Sequence, residues 1–79
     1  MSVRYTDKQG QYLAFIYYYS KVNGCAPAEL DMQRYFEVSA PAVHRMIVEL
    51  EKKDLIQRIP RRPRSIEVRL SRSELPDLE

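Results

Sequence analysis

Cysteine, histidine and tryptophan are nearly missing from this chain: Cys25 and His44 stand alone, and there is no tryptophan. A single cysteine excludes a disulfide framework, and one cysteine with one histidine cannot complete a protein-only Cys/His zinc site. Only two glycines occur, and no glycine-rich phosphate loop is among the motifs. No apolar run approaches the roughly 20 residues that a membrane-spanning helix needs, and the amino terminus does not have the form of a signal peptide. A reducing, cytoplasmic setting is the resulting expectation. With 79 residues the chain can build one small domain around a modest core. No nucleophile with its base and no acid pair stands out, so the expectation is a non-enzyme without cofactor or metal.

Charge is present on both signs but unevenly placed. Thirteen basic and eleven acidic side chains give a formal net charge of +2, which by itself says little. Residues 56–72, however, hold Arg58, Arg61, Arg62, Arg64, Arg69 and Arg72 against Glu67 alone, whereas the last seven residues hold Glu74, Asp77 and Glu79 with no base. A concentrated basic segment suits a polyanion such as nucleic acid. The plainer reading is a solvated arginine face that keeps a hairpin edge from aggregating.

Local patterns predict the elements. Thr6-Asp7-Lys8-Gln9 fits a capping box, and Tyr12, Leu13, Phe15, Ile16 and Tyr19 follow with helical spacing as core positions. Asn23-Gly24 ends that helix. Ala26-Pro27 restarts the chain, and a second helix from about Ala28 to Phe36 should bury Leu30, Met32 and Phe36. Cys25 is expected to fill a gap in the loop between them. Ser39 caps a third helix, with Pro41 tolerated in its first turn. Val43, Met46, Ile47 and Leu50 fall on its inner face, while Pro41, His44, Arg45, Val48 and Lys52 fall on the other. Leu55–Ile59 and Ser65–Leu70 have strand character on either side of Pro60-Arg61-Arg62-Pro63. Ile66, Val68 and Leu70 should face inward. Residues 1–71 therefore read as an α+β winged helix-turn-helix domain: three helices followed by a two-stranded β-hairpin wing. Residues 72–79 read as a loose acidic tail.

The ordered set resembles the DNA-binding domain of the LexA repressor family. Its carriers are Thr6 and Gln9, Gly24 and Pro27, the run Ser39-Ala40-Pro41-Ala42-Val43-His44-Arg45, then Leu50-Glu51-Lys52-Lys53, Leu55-Ile56 and Pro63-Arg64-Ser65-Ile66. The match covers about residues 5–70. It implies that the third helix enters the major groove of double-stranded DNA, with Ser39, Ala40, Ala42, His44 and Arg45 as readers, and that the hairpin tip follows the backbone. Ala28 stands where the family has Thr or Ser, and Glu37 and Asp54 where glycines are common. LexA repressors continue into a self-cleaving domain built on a serine nucleophile and a lysine base, which residues 71–79 do not contain.

The expected function is sequence-specific DNA binding by a transcriptional regulator that represses by occupying an operator. Base contacts are expected from His44 and Arg45, with Val48 offered to a thymine methyl. Arg45 could instead pair with Glu49 one turn away. Phosphate contacts are expected from Lys52, Arg61, Arg62 and Arg64. A homodimer is expected through the outer side of the first helix, where Gly10, Ala14, Tyr17, Tyr18 and Lys21 lie together and combine small residues with amphipathic rings. The alternative function is a winged-helix module that docks on a protein instead of DNA.

Overall fold

A computed structural model describes residues 4–79. Helix α1 spans Asp7–Asn23, α2 Glu29–Phe36 and α3 Ala40–Lys52; strands β1 (Ile56–Gln57) and β2 (Glu67–Val68) pair antiparallel, with Ile56 opposite Val68 and Gln57 opposite Glu67. The α+β winged helix-turn-helix architecture is the one the sequence predicts. Among the described residues no helix is long and apolar enough to cross a membrane.

The helix ends are set by local chemistry. Thr6 Oγ1 accepts from Gln9 N at 3.2 Å and Gln9 Oε1 accepts from Thr6 N at 3.0 Å, closing the capping box. Gly24 adopts φ 73° and donates its amide to Ser20 O. Ser39 Oγ accepts from Ala42 N at 3.3 Å at the start of α3. Ala28 has no side-chain acceptor, so Asp31 supplies the only cap of α2, accepting from Ala28 N at 2.8 Å.

The core lies between the three helices and the hairpin. Tyr12, Leu13, Phe15 and Ile16 of α1 meet Met32 of α2, Val43, Ile47 and Leu50 of α3, and Leu55, Ile56, Ile66 and Leu70 of the hairpin. Phe36 stacks on Tyr12 at 4.1 Å between ring centroids. Leu30, expected inside, is 49% exposed. At 100° per residue it lies 200° from Met32, so the two cannot share a face. Cys25, expected to fill a loop gap, is exposed.

The wing is shorter in β-structure than its sequence suggests. Only two residue pairs form, because Pro60 and Pro63 take the chain through successive turns. Arg62 N bonds Ile59 O at 3.1 Å, placing Arg61 at the third turn position with φ 64°; Arg64 follows Pro63 with φ 56°. Ser65 Oγ fastens the tip, accepting from Ile59 N at 3.0 Å and lying 2.8 Å from Arg62 O.

The last residues are not a loose tail. Leu75 is buried in the core, and Arg72–Glu74 form a 3-10 turn whose Glu74 carboxylate accepts from Ser71 N at 2.9 Å. The bonds from Ser71 hold the Glu74 carboxyl below its usual pKa. Tyr5 OH donates to Glu74 O, Gln11 Nε2 to Asp77 O at 3.0 Å, and Tyr35 OH to Glu79 O at 2.7 Å. This docking corrects the expected dimer face. Gly10 and Ala14 are buried, and a Cβ on Gly10 would come within 2.8 Å of the Tyr5 ring and 3.1 Å of Pro76. Tyr17 and Tyr18 are half-buried, the Arg72 guanidinium lies over the Tyr18 ring at 5.2 Å, and only Lys21 of the five is exposed. Since α1 is apolar on more than one side, it is covered on more than one side.

Glu37 and Asp54 occupy left-handed conformations, at φ 54° and 62°. The geometry usual for glycine is thus kept without glycine, at a backbone cost of roughly 1–2 kcal/mol for an L-residue. Glu37→Gly is expected to raise stability by about 0.5–1 kcal/mol, the relief of strain being partly offset by glycine's freedom in the unfolded chain. Urea midpoints read this directly. An equal gain in Glu37→Ala, which keeps the strain, would contradict the cause.

Candidate nucleic-acid interface

Helix α3 is held as a platform. Val43, Ile47 and Leu50 are fully buried, and Met46 packs against the core, so the helix cannot roll. Its opposite side is left to solvent. Ser39, Ala40, Pro41, His44, Arg45 and Lys52 are exposed, with Ala42 and Val48 half-buried among them. No acid lies in its first turn. With thirteen residues at about 1.5 Å each, the helix is roughly 20 Å long, a length that fits a major groove. Glu37, Val38 and Ser39 form the turn from α2, with Val38 packed on the core; this short, rigid link fixes the angle between the two helices.

The base of the wing is joined to this platform both directly and through α2. Glu29 Oε2 lies 3.8 Å from His44 Nδ1 and 3.7 Å from an Arg58 guanidinium nitrogen, and Arg58 Nε reaches Glu51 Oε1 at 3.4 Å. The exposed side of α3, the start of α2 and the base of the wing are therefore one continuous surface.

The six arginines of residues 56–72 do not form a single free patch. Arg58 is held by Glu29 and Glu51, Arg69 by Asp54 at 3.6 Å, and Arg72 by Asp77 at 3.7 Å. Arg64, expected at phosphate, remains 44% exposed but is already engaged within the domain. It donates to Tyr19 Oη at 3.1 Å and Ala26 O at 3.3 Å and pairs with Asp31 at 3.3 Å. Tyr19 raises the Arg64 pKa further, by hydrogen bond and by charge. Arg61 and Arg62 are fully presented at the tip. Among the described residues no carboxylate lies within 4.0 Å of Arg45, Lys52, Arg61 or Arg62. The alternative pairing of Arg45 with Glu49 does not form.

No family model matches the chain. Similar curated proteins are the LexA repressor of Thermosipho melanesiensis, 38% identical over 61 residues, 77% of this chain and 31% of the relative; that of Petrotoga mobilis, 41% identical over 54 residues, 67% and 26%; and that of Thermosipho africanus, 36% identical over 61 residues, 77% and 31%. The chain carries a LexA-like winged helix-turn-helix domain. It spans less than a third of the length of these relatives.

Within the LexA-like domain, sequence reading missed the contacts of Glu29, at the start of α2, and Glu51, near the end of α3, and it took Arg58 only as one charge in a run. A contact between Glu29 and Arg58 joins residues far apart in the chain and leaves no periodic trace. Arg58 is distinguishable from its neighbours Arg61 and Arg62 only by its place before the first proline, at the base of the hairpin instead of its tip. A concavity between α1 and the hairpin offers no alternative site of comparable character. Its serines are bonded internally, Ser20 Oγ to Ile16 O at 2.7 Å and Ser65 Oγ to the wing backbone, and its Arg64 is engaged by Tyr19, Ala26 and Asp31.

Proposed function

We propose that this domain binds double-stranded DNA sequence-specifically and regulates transcription, as a repressor that occupies an operator overlapping a promoter. In this reading His44, Arg45 and Val48 face base edges, the exposed start of α3 (Ser39, Ala40, Pro41 and Ala42) lies at the groove, and Lys52, Arg61 and Arg62 meet phosphate. The observation that carries it is the set of four cations without acid partners among the described residues on α3 and the wing tip, on a surface continuous through Glu29 and Arg58. Support also comes from the similarity to proteins named repressors. Two copies on a two-fold operator complete the reading, paired through a surface other than the covered side of α1.

Salt dependence tests it. Each phosphate contact contributes roughly −0.9 to the slope of log affinity against log salt, so contacts by Lys52, Arg61 and Arg62 give a slope of about −3 per domain. Arg61→Ala and Arg62→Ala should each flatten it by about one and weaken all sequences alike. Affinity for duplex that does not change with salt would sink the DNA reading and favour a protein partner on the same surface.

A further inference from the structure

Two acids open α2, and only one of them serves the helix. Asp31 accepts from Ala28 N at 2.8 Å and pairs with Arg64, which accounts for the cap. Glu29 makes no cap bond. Its carboxylate is turned across the surface to His44 on α3 and Arg58 at the wing base, and it remains about one-third exposed at 37%. A carboxylate there is costly for a surface meant for phosphate, since like charges brought together oppose docking. It touches both α3, at His44, and the base of the wing, at Arg58.

We propose that Glu29 is a specificity-determining residue of this domain, acting by charge against phosphate and by holding His44 and Arg58 in position. The inference rests on the DNA-binding reading and deepens it. On unselected DNA, binding depends on phosphate contacts alone, so the carboxylate repels and gives nothing back. On the selected operator the same repulsion is offset, because a side chain already oriented loses less freedom when it meets its base. Removing the charge therefore helps unselected DNA, whereas on the operator the relief of repulsion and the loss of orientation oppose each other.

The test uses two duplexes, one selected by the wild type from a random pool and one of the same composition with its sequence scrambled. Glu29→Gln is expected to tighten binding to the scrambled duplex about 3- to 10-fold, with the selected duplex changed less than about 2-fold, so the specificity ratio falls. Glu29→Asp keeps the charge but shortens the reach. It should leave scrambled binding at the wild-type level and weaken the selected duplex. Thermal melts of both variants check that the fold persists. Equal tightening on both duplexes in Glu29→Gln overturns the specificity role, as does equal weakening on both. Absence of salt-dependent duplex binding by the wild type overturns the functional reading and this inference together.

Discussion

Leu75→Ala is expected to lower the stability of the domain by about 2–4 kcal/mol and its melting temperature by roughly 10 °C or more. The residue lies only a few positions from the end of the sequence, in a stretch whose acids and proline suggest solvent. Its side chain is nonetheless 7% exposed and belongs to the same core cluster as Leu13 and Ile47. Truncation removes buried methyl groups and leaves a cavity beside the 3-10 turn, which the backbone bonds to Tyr5 and Gln11 restrain from collapsing. Small domains have little margin to absorb such a loss. Calorimetry of the variant beside Leu78→Ala, a partly buried neighbour, measures the effect. A change within about 0.5 kcal/mol, the range of ordinary surface substitutions, would mean the segment does not dock in solution.

Arg45→Ala and His44→Ala are each expected to cost about 1–3 kcal/mol on the selected operator and to relax preference at one or two base pairs. Both side chains are exposed on a helix whose other face is locked into the core, and Arg45 has no acid partner among the described residues. The two should differ in detail. His44 lies against Glu29, so its loss leaves that carboxylate to Arg58 alone and facing phosphate, and unselected DNA should bind His44→Ala slightly more weakly than wild type, by less than for Arg45→Ala. Arg45→Ala removes a cation and should weaken unselected DNA as well. Footprinting and competition across a panel of single-base operator variants separate these outcomes. If Arg61→Ala and Arg62→Ala shift base preference while the α3 variants leave it unchanged, helix and wing have exchanged roles.

Much of the fold was legible because its signals are local. A capping box is four residues long, the left-handed stop at Gly24 is one residue, and the apolar faces of α1 and α3 follow from a period that the backbone imposes. The same holds for the wing, where Pro60 and Pro63 announce a break in pairing. Spacing failed where it was set aside, as at Leu30, which is two residues from Met32 and therefore across the helix from it.

Charge was the poorest guide. Six arginines close together in sequence look like one patch, yet Arg58, Arg64 and Arg69 each meet an acid from an earlier element or turn, and Arg72 meets Asp77 in its own segment. Composition counts cations, whereas a phosphate surface needs cations that remain unpaired after folding, and pairing is a tertiary property. The covered face of α1 has the same origin. Small residues beside tyrosines suit a second copy of the chain and suit the chain's own last turn equally well.

The sequence by itself determined three helices, the caps of the first and third, a proline-stiffened hairpin, the inner and outer sides of α3, and the presentation of His44, Arg45, Arg61 and Arg62, since each depends on neighbours within a few residues. Only the tertiary structure decided which arginines are free, that Glu29 bridges α3 and the wing, and that Leu75 closes the core over α1. Those outcomes depend on side chains brought together from different elements, as Glu29 with Arg58 and Asp31 with Arg64, where neither helical nor strand periodicity carries information.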